Sequence, residues 1–230
     1  MWRRFFLLFL LILLAVSPAL AAERDQAAQA LGWYKKAAQA GNANAQYLYA
    51  YQFENGLNGP KDPAKAVEWY RKAAQQGHVE AQFKMGLMNA KGRGTPRDYA
   101  KAQRWFRLAA TEGLVEAQYN LGLMAELGLG VARNPTEAAE WYRAAAEAGQ
   151  ATAMRRLGVL FATGDGVRKD LVQAVTWLEL AARQNDADAR LLRDGLLPEM
   201  SPREIEQMRE MVRTRAPDEP PQPQPRPPIR

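Results

Sequence analysis

Five tryptophans, Trp33, Trp69, Trp105, Trp141 and Trp177, stand 36 residues apart along the chain. Tyr34, Tyr70, Phe106 and Tyr142 follow the first four, and an alanine pair sits four and five residues beyond every tryptophan, from Ala37-Ala38 to Ala181-Ala182. A single globular core imposes no constant interval. Tandem units do, because each must bury its apolar face on its neighbours. The 230 residues therefore count repeats rather than independent domains.

Each unit reads as two helices. Gly41, Gly77, Gly113 and Gly149, with Asn185 in the fifth copy, stop the tryptophan helix where a left-handed residue is needed. The next helix carries small or apolar residues at i, i+4 and i+8: Ala81, Met85 and Asn89; Ala117, Leu121 and Ala125; Ala153, Leu157 and Phe161. Within it, Gly86, Gly122 and Gly158 each cost roughly 1 kcal/mol against alanine, so their return in phase predicts another helix crossing at close backbone distance. Loops built on Gly92-Arg93-Gly94, Gly128-Leu129-Gly130 and Gly164-Asp165-Gly166 follow. No strand precedes them and no lysine-hydroxyl pair succeeds them, so they read as turns and not as phosphate loops. Asp62, Asp98, Asn134 and Asp170 then stand as N-caps, and Asn134 with Glu137 and Asp170 with Gln173 resemble capping boxes. Burial of Trp69, Trp105 and Trp141, at about 4–6 kcal/mol each, is expected to cement the helices.

The amino terminus departs from this pattern. Arg3 and Arg4 precede twelve apolar residues, Phe5 to Val16, and Ala19-Leu20-Ala21 supplies small residues for cleavage. Residues 1–21 are expected to be a secretory signal peptide, since a spanning helix needs about 20 apolar residues. The general secretory route fits better than the twin-arginine one, and the product is expected to be periplasmic or secreted, with no stable membrane insertion after cleavage. There is no cysteine, which removes disulfide, thiol and cysteine-zinc chemistry. Beyond residue 21 the balance is 29 basic against 25 acidic side chains, a net +4. That mild surplus gives no reason to expect nucleic-acid binding.

At the other end, Ser201-Pro202-Arg203-Glu204 has the order of an N-cap, a first-turn proline and a capping glutamate. It predicts a helix to about Arg213 that covers the last repeat. Residues 215–230 hold seven prolines and no apolar periodicity, and are expected to be disordered or polyproline-like.

Three stretches, Ala117-Gln118-Tyr119-Asn120-Leu121-Gly122, Gly128-Leu129-Gly130-Val131 and Ala138-Ala139-Glu140-Trp141-Tyr142-Arg143-Ala144-Ala145, together resemble the Sel1-like repeat, a subclass of the tetratricopeptide-like helical solenoids. The resemblance covers roughly residues 26–190. It divides the chain into a half repeat at 22–42, four repeats over 43–186, and capping helices at 187–214. It implies an all-α fold, a right-handed α-solenoid of antiparallel helix pairs whose first helices line a concave face. It also implies an adaptor that binds proteins, in exported bacterial members at envelope assemblies, polysaccharide export or sensor kinases.

Catalytic groups are scarce. Ser201 is the only serine beyond residue 21 and His78 the only histidine, so neither a nucleophilic triad nor a zinc site can be assembled. His78 falls in an inter-helix turn and is expected to be exposed. No cofactor and no metal site are expected. Glu112, Glu116, Glu126, Glu137 and Glu140 leave carboxylate chemistry open, and a hydrolase of cell-wall or β-lactam substrates is the alternative class. A wall or polysaccharide scaffold is a third, with glycan binding open. The first reading is a non-enzymatic exported adaptor for a protein or peptide, organising an envelope complex or restraining a sensor. Its expected surface, read as first-helix positions off the core stripe, comprises Tyr47, Tyr51, Phe83, Lys84, Met88, Lys91, Tyr119, Asn120, Met124, Arg155 and Arg156. That face would be an aromatic and methionine-bearing trough turning basic at Arg155 and Arg156, fitted to an amphipathic helix or an extended acidic peptide.

Overall fold

The computed structural model describes residues 32–57 and 59–215. The leader expected over 1–21 and the proline-rich tail beyond Arg215 lie outside these residues. Every regular element among those described is helical. Residues 32–39 form α1, followed by α2 (Ala43–Asn55), α3 (Pro63–Gln75) and α4 (Val79–Lys91). Then come α5 (Tyr99–Thr111), α6 (Val115–Leu127), α7 (Pro135–Glu147), α8 (Ala151–Thr163) and α9 (Leu171–Arg183). Helix α10 (Ala187–Leu196), a 3-10 turn at Leu197–Glu199 and α11 (Pro202–Arg215) complete the order. None of these helices is long and apolar enough to cross a membrane.

The chain packs as two compact units. One holds the described residues up to Met88 with Gly92–Pro96, the other Asn89–Lys91 with the described residues from Arg97 onward. In the first, α2 packs on α3. In the second, each helix from α5 to α9 packs on the next, and α11 returns onto α9. This pairwise stacking of consecutive helices is the packing of an α-solenoid. A 13-residue helix is marginal alone, so its stability comes from these neighbours.

Local signals set the helix ends as expected. Asp62, Asp98, Asn134 and Asp170 each accept a hydrogen bond from the amide three residues on. Gly41, Gly77, Gly113, Gly149 and Asn185 all take positive φ. The reciprocal half of two capping boxes is absent, because the amides of Asn134 and Asp170 donate instead to the carbonyls of Ala125 and Phe161 at the end of the preceding helix. Of the three expected boxes, all within the described residues, Ser201 with Glu204 closes in full: the Glu204 carboxylate accepts from the Ser201 amide at 2.8 Å, and the Glu204 amide donates to Ser201 Oγ.

The core stripe of the first helices is buried through Ala81, Met85, Asn89, Ala117, Leu121, Ala125, Ala153 and Leu157. The tryptophans behave otherwise than expected. Trp69, Trp105 and Trp141 are only half-buried and Trp33 is 63% exposed, whereas Tyr70, Phe106 and Tyr142, one residue later, are fully buried. The helix presses the second aromatic of each pair into the core, a rotation of one residue that periodicity alone does not resolve. Trp177 is the exception, buried at 3% under the C-terminal helices with Met200, Met208 and Val212.

Candidate functional site

The surface expected to bind a partner consists of the outward positions of α2, α4, α6 and α8. Two positions recur there in every copy, Tyr47, Tyr51, Phe83 and Leu87 belonging to the first unit and Tyr119, Leu123, Arg155 and Val159 to the second. Two residues beyond each core alanine stand Tyr47, Phe83, Tyr119 and Arg155, all half-buried. Four residues further stand Tyr51, 41% exposed, and the half-buried Leu87, Leu123 and Val159. In the first unit the ring of Tyr47 stacks on His78 at 4.7 Å and lies 5.5 Å from Tyr70. In the second, Tyr119 lies 5.7 Å from Tyr142. In each unit these side chains are thus half embedded in the core by their inner edges, with their outer edges accessible.

Met88 and Met124 do not belong to this surface. At 2% and 3% exposure they are core residues, because a helix packed on both flanks covers positions that one apolar stripe leaves open. Lys91 is exposed. Asn120 turns back on its own helix, donating through Nδ2 to the Glu116 carbonyl at 2.6 Å.

The cations are held more firmly than a solvated face would hold them. In the first unit Glu54, itself buried, accepts from the Tyr70 hydroxyl at 2.7 Å and from Lys84 Nζ at 2.9 Å, with Arg93 Nη1 at 3.5 Å. Burial pushes the Glu54 carboxyl up, but hydrogen bonds from Tyr70 and Lys84 and the charges of Lys84 and Arg93 outweigh it and hold the pKa below the usual carboxylate range. The Tyr70 hydroxyl is raised, by burial first and by Glu54 second. The second unit repeats the arrangement: Glu126 accepts from the Tyr142 hydroxyl at 2.5 Å and faces Arg156 Nη1 at 3.4 Å. Arg155 is held by Asp186 at 2.9 Å and Asp188 at 3.7 Å.

Copies lacking this network replace all three members. Where Glu126, Tyr142 and Arg156 stand, the preceding copy has Ala90, Phe106 and Asn120, and the following one Ala162, Leu178 and Leu192. That exchange was visible in the sequence and is the signal that would have tied Lys84 and Arg156 to carboxylates.

His78 is not the exposed residue expected. It is the N-cap of α4, with Nδ1 accepting from the Ala81 amide at 3.4 Å, and its ring is covered by Tyr47. The carboxylates considered for catalysis do not converge. Glu126 is engaged as above, and Glu137 accepts from Arg107 and Trp141. Glu112, Glu116 and Glu140 are exposed. Among the described residues no three histidines or carboxylates are grouped to hold a metal ion.

Comparison with known proteins places these features. The Sel1 repeat family matches at residues 20–42, 43–78, 79–114, 115–150 and 151–186. The crystal structure of c5321, a protective antigen of uropathogenic Escherichia coli with an SLR fold, is 38% identical at a TM-score of 0.67, over 69% of this chain and 34% of that one. A Sel1 repeat protein from Oxalobacter formigenes is 34% identical at a TM-score of 0.67, over 73% of this chain and 49% of that one. The chain thus spans about a third and about half of the lengths of these two proteins. A search among curated proteins finds no match.

Proposed function

Because the chain belongs to the Sel1 repeat family, whose members are protein-interaction scaffolds, we propose that it is an exported adaptor that holds a protein or peptide on the outward faces of its first helices. The observation that carries this reading is that at one and the same repeat position Tyr51 and Leu87 in the first unit, and Leu123 and Val159 in the second, all keep surface open to solvent, Tyr51 being 41% exposed and the other three half-buried. Leu48 is likewise 38% exposed, one residue from Tyr47. Accessible aromatic and aliphatic edges on one unit suit the apolar side of an amphipathic helix, which lays down anchors at i, i+3, i+4 and i+7. Lys84 and Arg156, tied to Glu54 and Glu126, contribute positioned donors and little free charge. The partner is therefore better described as amphipathic than as strongly acidic. The expectation of export comes from the leader-like sequence of residues 1–21 alone, and with it the partner is proposed to be an envelope protein, a component of an assembly or a sensor.

The test is crosslinking capture in the native envelope with Leu48→Glu/Tyr51→Glu, both in the first unit, and Leu123→Glu, in the second. Loss of a protein captured by the parent chain, with helical circular dichroism unchanged, supports the reading. Capture at the parent level by all of these variants moves recognition off the first helices. Lys84 and Arg156 are poor probes, because charge reversal there would also break a buried network.

A further inference from the structure

A groove of ≈ 980 Å³ opens in the second unit, between the end of α7, the end of α8, the loop that follows, α9 and α11. Phe161, Val167 and Leu171 give it a partly exposed apolar floor, Trp177 is buried beneath Arg215, and four cations, Arg143, Arg168, Lys169 and Arg215, stand around it. Arg143 lies over the Phe161 ring at 5.8 Å and Arg215 over Trp177 at 5.0 Å. Among the described residues none of the four meets a carboxylate. Elsewhere in the unit pairing is common: Arg155, Arg156, Arg183, Arg193, Arg209 and Arg213 are all in ion pairs. Of the groove's three carboxylates, Asp170 caps α9 and Glu204 closes the Ser201 box. Only Glu147 remains uncommitted there.

Arg215 ends α11 and is part of the groove's rim. The next eight residues are Ala216-Pro217-Asp218-Glu219-Pro220-Pro221-Gln222-Pro223. We propose that this stretch folds back into the groove, with Asp218 and Glu219 meeting Arg143, Arg168 and Lys169, and the prolines lying on Phe161 and Leu171. The reach fits: at about 3.1 Å per residue in polyproline form, the two carboxylates fall about 9–12 Å from Arg215. The cost of ordering is low, since proline has a fixed φ and no amide left without an acceptor. Attachment at the rim adds an effective concentration on the order of millimolar, so weak contacts are enough to fill the site.

The chain has no native cysteine, so a nitroxide at Gln222→Cys reports on this segment alone. The expected result is paramagnetic broadening of the amide resonances of Phe161 and residues 167–171. It should fall about tenfold in Asp218→Lys/Glu219→Lys, as loss of two exposed ion pairs predicts, and fall likewise in Arg143→Glu/Lys169→Glu with helicity unchanged. Two results overturn the proposal. Broadening that is absent, or insensitive to both charge reversals, means that the tail is merely tethered nearby. Broadening that persists when the nitroxide and the isotope label are on different molecules assigns the groove to a second copy's tail instead.

Discussion

Tyr70 and Tyr142 each place a hydroxyl on a carboxylate sixteen residues earlier in the chain, and the copy between them manages with Phe106 opposite Ala90. The hydroxyl and the carboxylate are therefore needed together or not at all. Removing one member leaves a buried polar group without its partner, at about 1–3 kcal/mol. Tyr142→Phe alone should lower stability by about that amount. Glu126→Ala/Tyr142→Phe/Arg156→Asn, which installs the set present at 90, 106 and 120, should recover most of the loss, with a coupling of about 0.5–3 kcal/mol. Urea denaturation of the four proteins decides this, and strictly additive losses would show that the three positions do not act as a unit. Glu54 adds a pH dependence. Its carboxyl is held below the ordinary range in the folded protein, so around that range the unfolded chain binds more protons. The contribution is thus complete above the unfolded value of about 4.3 and is lost as pH falls through the folded value. Glu54→Gln should flatten the fall in urea midpoint between about pH 5 and 3.

At the scale of the helix, local chemistry was legible and facing was not. Caps and left-handed stops depend on one or two residues, so Asp62 or Gly77 announces its role alone. Which side of α7 turns inward depends on the helices against it, and the sequence equally allowed Trp141 or Tyr142 in the core. Met88 was misread for the same reason. The pairing of Lys84 with Glu54 spans thirty residues, beyond any window used to find a helix, and only comparison between copies reveals it. Glycines inside helices were legible because they break a propensity rule. A Cβ at Gly122 would lie 2.6 Å from the Tyr142 ring, and one at Gly158 would lie 2.8 Å from Leu178 and 3.0 Å from the Ala174 carbonyl oxygen. Helix propensity favours alanine by about 1 kcal/mol, yet overpacking costs about 1–3 kcal/mol. Gly122→Ala and Gly158→Ala should each lower the thermal midpoint. Gly158→Ala should lower it more, since a backbone oxygen cannot swing aside as a ring can.

Across the molecule, the strict interval makes a whole copy the unit of change. Deleting residues 115–150 joins Leu114 to Ala151 in register and removes Glu126 together with Tyr142. The product should stay helical and unfold cooperatively, with a lower midpoint and a denaturant slope reduced in proportion to the surface lost. Deleting residues 115–144 instead should abolish cooperative unfolding by circular dichroism, because every later side chain then meets the wrong neighbour. The loops enforce this rule. A Cβ at Gly94 would lie 2.1 Å from the backbone of Pro63, at Gly130 2.7 Å from Tyr99, and at Gly166 2.3 Å from Pro135, each partner thirty-one residues earlier. Such contacts tolerate no lengthening of the span they close. In a lineage carrying this gene, single-codon insertions across those spans would be purged, while crossover between loops that share the Gly-x-Gly frame at the same repeat position would pass. The array would then grow or shrink by whole copies, and the length of its binding face would be heritable in steps.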